Sequence, residues 1–487
     1  MRIYNSLSKK IEEFRPIEPG KVMMYVCGLT PYDSAHIGHA RTYVAFDTIK
    51  RFLMKEGYKV YHIQNITDVE DKIIKRCLES GADPVKLTTE VHDEALELFR
   101  ALHIIDADAY PKVTEHLPEI ISMVGKLIAN GYAYETDSGV YFDVLKFKGY
   151  GRLSGQDIEQ MKAGVRKDVA EGKKSHLDFA LWKKSKGEIL EFDSPWGKGR
   201  PGWHIECSAM SWKYVGRPLD IHGGARDLIF PHHENEIAQS EAATAEEFCK
   251  YWMHTGFLTV EHEKMSKSLG NFITLKQSLQ KHSPNALRLF YLQAHYRSPL
   301  DYEEGILEAA GESVERIFNS LGLIAEILSG DKPDAKDQEF RKEGDALVEK
   351  FRSSMEDDFD TPSALAALFS LLRLANAHLG GEKLDRKQLE KLTDAVSDML
   401  WILGLEEKKV SIEGRLGALE ALLSELGVSE KPDSAEAALE NIILLRDEAR
   451  SKKDYAKSDM VRDRLLAMGI VLEDKGQGGI RWKLKRG

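Results

Sequence analysis

The apolar positions of the chain change period several times, and each change marks an element. Met23-Met24-Tyr25-Val26 is a continuous apolar run of the length of a buried strand. From 42 to 56 the apolar residues recur every three or four positions, which predicts a helix. The run from Tyr58 to Ile63 reads as a second strand, and helices are expected over 69–79 and 88–103. Strands and helices in alternation imply a parallel sheet. Between 110 and 200 the pattern changes to one helix over 117–130, a hairpin through Tyr132-Ala133-Tyr134 and Val140-Tyr141-Phe142, and Lys/Gly-rich connections. This stretch is expected to be an insertion into the sheet, with Trp182 and Trp196 as its packing anchors.

The alternation then resumes. A helix is expected over 208–214, a short strand at Pro218-Leu219-Asp220-Ile221-His222, a helix opened by Pro231, and a strand at Tyr251-Trp252-Met253-His254. Beyond 285 nearly every segment has helical periodicity, over 286–292, 309–328, 345–355, 362–379 and 387–403, as a helical bundle requires. The expected fold is α/β. Its parts are a Rossmann-like parallel-sheet catalytic domain in two halves (1–110 and 201–284), a connective insertion (111–200), an all-α bundle (285–404), a linker (405–434) and a small C-terminal α+β module (435–487).

Composition narrows the class. The 487 residues are 42% hydrophobic and carry a formal net charge of −11, which argues against a protein that coats nucleic acid nonspecifically but leaves room for local basic patches. The four cysteines, Cys27, Cys77, Cys207 and Cys249, are too scattered for a disulfide framework, so some are candidates for metal binding or catalysis. No stretch approaches the run of about 20 apolar residues that spans a bilayer, and the N-terminus enters mixed polar sequence directly. A cytoplasmic protein is expected.

Two sets of residues carry chemistry. Cys27 ends the first strand, Cys207 opens a helix, and His232 and Glu236 stand at i and i+4 on one helix face. Thiolate, imidazole and carboxylate are all competent zinc ligands, although by spacing alone His233 competes with His232. His36 and His39, three apart at the start of the first helix, can face an anion held by backbone N–H groups, and Gly38 lets the backbone approach it. Lys264-Met265-Ser266-Lys267-Ser268 places two lysines three apart in a Gly-terminated loop able to close over a polyphosphate.

Histidines heading the first helix and a lysine loop after a late strand resemble the two signatures of class I aminoacyl-tRNA synthetases. Within that class the chain resembles the cysteinyl family through His36-Ile37-Gly38-His39, Asn65-Ile66-Thr67-Asp68, Gly202-Trp203-His204-Ile205-Glu206-Cys207-Ser208, Asp220-Ile221-His222-Gly223-Gly224 and Phe230-Pro231-His232-His233-Glu234-Asn235-Glu236. The resemblance implies Zn²⁺ held by Cys27, Cys207, His232 and Glu236, with Thr67, Trp203 and His222 in the substrate pocket. It implies catalytic roles for His36, His39, Lys264 and Lys267, and ATP contacts at Thr30, His36, Gly38, His39, Gly224, Asp227 and Lys267. The implied reactants are L-cysteine, ATP with Mg²⁺, and tRNA(Cys), with a monomer as the acting form and no membrane partner.

At the C-terminal end, an exposed aromatic beside Lys475, Arg481, Lys483, Lys485 and Arg486 suits single-stranded RNA. The resemblance implies tRNA contacts at Arg450, Tyr455, Asp459 and Asp474, with Tyr455 where the family usually carries Trp. A related ligase that joins cysteine to an amino sugar shares the catalytic half but lacks this module, so the module favours the tRNA reading.

Overall fold

The computed structural model describes residues 1–487 except 158–171, 186, 266–269, 408–411, 429–431, 475–479 and 485–487. The chain forms two compact units, Met1–Glu406 and Glu407–Gly487.

The first unit is built on a four-stranded parallel sheet in the order Cys249–Thr255, Leu219–Ala225, Lys21–Val26, Lys59–Gln64. Strand Lys21–Val26 connects through helix Ile37–Lys55 to Lys59–Gln64 on one side, while Leu219–Ala225 and Cys249–Thr255 continue on the other. The strand order therefore reverses between Lys21–Val26 and Leu219–Ala225, and the carboxyl ends at such a reversal form a ligand crevice. Val22, Met24, Tyr25 and Val26 are all fully buried, which is why the strand reads as a continuous apolar run.

The hairpin Arg2–Asn5/Lys10–Glu13 lies beside the edge strand Cys249–Thr255. Asn5 Oδ1 accepts from Trp252 N–H at 3.1 Å, and Ser6 N–H donates to Trp252 O at 2.8 Å, so the strand's edge groups are satisfied locally.

The insertion is a four-stranded antiparallel sheet, Ala133–Glu135, Gly139–Phe142, Phe179–Lys184 and Gly199–Pro201, with helix Leu117–Ala129 against it. Trp182 is fully buried there, its ring centroid 6.1 Å from that of Trp196. The bundle helices Glu304–Ser329, Gln338–Glu356, Thr361–Leu379 and Arg386–Leu403 follow. Arg288 joins the bundle to the sheet domain: its buried guanidinium donates to Leu403 O at 2.6 Å and Leu102 O at 2.9 Å, and pairs with Asp47.

The second unit corrects one expectation. Part of the stretch expected to be a linker over 405–434 is helix Leu416–Glu425, whose Leu419, Leu422 and Leu423 are buried with Ala438, Leu439 and Ile442. Those leucines serve this small core, and it is the charged sequence flanking the helix that reads as spacer. Helices Ala435–Ser451 and Tyr455–Ala467 and the antiparallel pair Ile470–Asp474/Ile480–Leu484 complete an α+β unit.

Candidate metal and nucleotide site

Cys27 stands just past the end of Lys21–Val26, anchored by its N–H to Gly223 O at 3.0 Å. Its neighbour Gly28 packs so tightly on the adjoining strand end that an added Cβ would lie 1.6 Å from Asn65 O. Cys207 lies in the first turn of helix Ile205–Val215, and His232 and Glu236 lie on helix His232–Thr244. The four side chains converge. The Cys27 and Cys207 sulfurs are 4.0 Å apart, Cys27 Sγ is 3.7 Å from Glu236 Oε1, Cys207 Sγ is 3.7 Å from His232 Nε2, and His232 Nε2 is 2.9 Å from Glu236 Oε1.

The donor set fits zinc. Bonds of about 2.3 Å to sulfur and about 2.0–2.1 Å to nitrogen or oxygen in a tetrahedron separate the ligand atoms by about 3.3–3.8 Å, close to the three distances that involve sulfur, while His232 and Glu236 sit at hydrogen-bonding distance. All four groups are buried. Burial disfavours an imidazolium at His232, yet Glu236 and Cys207 outweigh it and raise the ring's pKa to about 10. A buried set of two thiols, an imidazole and a carboxylate is compatible with a bound cation.

A second buried set shares two members with the first: Cys27, His222, His233 and Glu236. His233 Nε2 is 3.2 Å from Cys27 Sγ, so the competition between His232 and His233 expected from spacing is present in three dimensions. His222 faces the cluster from within the protein. It is fully buried, its Nδ1 is 2.9 Å from Tyr25 O and its Nε2 is 2.8 Å from Glu236 Oε2, an arrangement that fixes the carboxylate.

The wall of the site is mixed. Trp203 is 38% exposed and stacks on the His232 ring, with centroids 4.5 Å apart. Thr67 is buried, accepts from Asn65 Nδ2 at 3.0 Å and donates to Glu206 Oε2 at 3.1 Å. Sequence reasoning missed Glu206 and His204. Burial holds the Glu206 carboxyl well above its usual range. His204 Nδ1 lies 2.9 Å from His232 Nδ1. Neither residue carries a spacing signal, because both act through partners distant in sequence.

At the first helix the histidines differ from the expectation in one respect. His36 is the N-cap of Ile37–Lys55, and its Nδ1 accepts from Gly38 N–H at 3.1 Å and His39 N–H at 3.3 Å. Those backbone donors are therefore already used, and an anion would meet side chains instead. Because Nδ1 of each ring accepts a backbone N–H, the ring proton sits on Nε2, leaving two neutral Nε2–H donors. Burial keeps His36 neutral, lowering its pKa to about 4, and holds His39 well below its usual value. Gly38 also packs closely on its own cap: a Cβ there would meet the folded-back His36 ring at 3.0 Å.

The arm that follows the lysine loop docks on this turn. Leu275 N–H donates to Ala35 O at 2.8 Å and Ile37 N–H to Ile273 O at 3.3 Å, and Phe272 meets the His36 ring edge-on. Lys264 ends the short strand Glu263–Lys264, whereas Lys267 lies outside the described residues. Thr30 is half-buried in the loop after Cys27, and Asp227 is exposed in the turn Arg226–Ile229. Gly224 ends beneath that turn, where a Cβ would lie 2.8 Å from Leu228 Cδ1.

In the second unit Tyr455 is 62% exposed at the start of its helix, and Asp459 pairs with Arg462 at 3.5 Å. Arg450 lies near the end of helix Ala435–Ser451, and Asp474 on the strand opposite Ile480. Lys475, Lys485 and Arg486 lie outside the described residues.

Comparison with known families agrees with this geometry. Residues 13–312 match the catalytic domain of class I (C) tRNA synthetases, and residues 350–407 match the DALR domain. The fold and the paired signature stretches thus define a class I aminoacyl-tRNA synthetase. In structure, the chain is similar to a Mycobacterium tuberculosis methionyl-tRNA synthetase in complex with methionyl-adenylate, with a TM-score of 0.63 at 16% identity over 79% of this chain and 92% of that one. It is 47% identical over 487 residues to the cysteine–tRNA ligase of Thermococcus onnurineus (99% of each chain) and 45% identical over 488 residues to that of Geobacter sulfurreducens (100% of each chain). The chain belongs to the cysteine–tRNA ligase family.

Proposed function

We propose that this chain activates L-cysteine with ATP, giving cysteinyl adenylate and pyrophosphate, and then transfers the cysteinyl group to the 3′ end of tRNA(Cys). The observation that carries this reading is the convergence of Cys27, Cys207, His232 and Glu236 at the carboxyl end of the parallel sheet.

The selection problem explains why such a cluster is useful. Serine differs from cysteine by one atom, and an apolar pocket discriminates poorly between such isosteres. Cys27, Cys207, His232 and Glu236 would hold zinc, which would supply a Lewis acid that prefers a thiolate to a neutral hydroxyl. The chain's own residues do the rest. Trp203 stacks on the His232 ring, Thr67 and Glu206 form a buried hydrogen-bonded pair next to Cys207, and His222 holds Glu236 in its orientation.

His36 and His39 present neutral Nε2–H donors to the α-phosphate region, where negative charge grows as the cysteine carboxylate attacks. Lys264 and Lys267 would hold the departing pyrophosphate, with Mg²⁺ carried mainly by the phosphates. Thr30, Gly38, Gly224 and Asp227 would shape the ATP cleft. In the second unit, Arg450, Tyr455, Asp459 and Asp474 would meet the anticodon, Tyr455 by stacking. The exposure of Tyr455 supports that half of the reading, while the DALR match lies over the helical bundle, at residues 350–407. We take the acting form to be a cytoplasmic monomer. Among the described residues no helix is long and apolar enough to cross a membrane.

The test is amino-acid-dependent ATP–pyrophosphate exchange on the zinc-loaded protein. Exchange with cysteine and none with serine is expected; equal exchange with both would sink the reading.

A further inference from the structure

Cys27 is the one proposed ligand whose sulfur faces a second histidine, and that histidine is the third link of a buried chain. Ser6 Oγ is 2.9 Å from His254 Nδ1, His254 Nε2 is 2.8 Å from His233 Nδ1, and His233 Nε2 is 3.2 Å from Cys27 Sγ. The groups come from four separate segments: the turn of the N-terminal hairpin, the edge strand, the helix His232–Thr244 and the end of the first strand. We propose that Ser6, His254 and His233 form a one-way hydrogen-bond chain that holds and tunes the Cys27 sulfur, so that His233 is a positioning residue and His232 the metal ligand. This inference rests on the zinc reading of Cys27, Cys207, His232 and Glu236.

The direction of the chain follows from that reading. A thiolate ligand carries no proton, so His233 must donate to it from Nε2–H. A neutral His233 then has only a lone pair at Nδ1 and accepts from His254 Nε2–H. His254 in turn accepts at Nδ1 from the Ser6 hydroxyl. Every group has one role and none is left unmet. Both rings are buried, His233 completely, and a buried imidazole with one donor and one acceptor neighbour is satisfied in its neutral form. Were His233 itself a ligand through Nε2, the proton would move to Nδ1 and the whole chain would reverse, leaving Cys27 without a donor. A hydrogen bond to a coordinated thiolate withdraws electron density from sulfur and fixes its orientation, and outer-shell partners of this kind control how firmly a metal is kept.

The test uses the full chain loaded with Co²⁺, whose thiolate-to-metal charge-transfer absorption reports both the number of sulfurs and their electron density. Ser6→Ala and His254→Phe are expected to keep full metal stoichiometry and band intensity. The band should move to lower energy in both, and a chelator should remove the metal roughly tenfold faster or more. Ser6→Ala removes one half-buried hydroxyl, so it remains informative if His254→Phe fails to fold. An unchanged band position and unchanged release rate in Ser6→Ala would overturn the proposal, as would loss of the bound metal in His233→Ala at full wild-type affinity of Ser6→Ala. The ligand reading is checked separately by Cys207→Ala, which should halve the band intensity. Unaltered intensity there would refute the ligand set itself, whatever Ser6→Ala does.

Discussion

His36 and His39 cap the same helix reciprocally: His36 Nδ1 accepts from the His39 N–H at 3.3 Å, His39 Nδ1 accepts from the His36 N–H at 3.4 Å, and the two rings stack with centroids 3.5 Å apart. The pair therefore has a structural duty, closing the first turn, and keeps both Nε2–H groups for the phosphate contact proposed above.

Burial depresses the His36 pKa to about 4 in the folded chain, against an ordinary value near 6.5. The folded state thus binds fewer protons than the unfolded one, so this group's contribution to stability is present above about pH 6.5 and is lost as pH falls toward 4. Histidine-labelled NMR should find the His36 ring neutral at pH 6. A His36 resonance titrating near 6.5 would contradict the buried cap.

A substitution can separate the cap from the chemistry. Asparagine is a good N-cap, so His36→Asn should keep denaturant stability within about 1 kcal/mol. It lacks the Nε2–H placed for phosphate, and adenylate formation should slow by about 10²-fold or more, as removal of one transition-state donor typically does. Equal losses in both measurements would mean that the cap alone matters.

Gly28→Ala addresses the support of Cys27. Its Cβ would fall 1.6 Å from Asn65 O, a backbone atom that cannot swing away. The strand end must shift, at a cost of about 1–3 kcal/mol. Urea unfolding should show a lower midpoint, and zinc content should fall with it because Cys27 moves. A wild-type midpoint would show that the strand ends are looser than the packing implies.

Tyr455→Ala separates the two units. Loss of base stacking, worth about 1–3 kcal/mol, should raise the KM for tRNA roughly tenfold while cysteine-dependent pyrophosphate exchange stays at the wild-type rate. Unchanged aminoacylation would remove Tyr455 from the RNA contacts.

The parts of the site legible in the sequence are those where chemistry and local period coincide. His232 and Glu236 share a helix face by spacing, Cys27 closes an apolar strand, and the histidine pair heads a helix. What could not be read depends on tertiary partners. His222 turns inward to Glu236, His204 and His254 reach histidines 28 and 21 residues away, and Gly38 accommodates a ring folded back on its own helix. The 416–425 helix was hidden for another reason: its leucines pack on helix Ala435–Ser451, and the charged stretch around them reads as solvated spacer until that partner is known. The alternation of strands and helices, by contrast, is written in burial that each segment carries by itself, so the parallel sheet could be anticipated.

In the proposed function, Cys27, Cys207, His232 and Glu236 hold a zinc ion that selects the substrate by its thiol. X-ray absorption at the zinc edge of the loaded protein, without and with L-cysteine, tests it most directly. Two sulfur neighbours at about 2.3 Å are predicted for the protein alone, rising to three on adding cysteine and remaining at two on adding serine. A sulfur count that cysteine leaves unchanged would contradict the account.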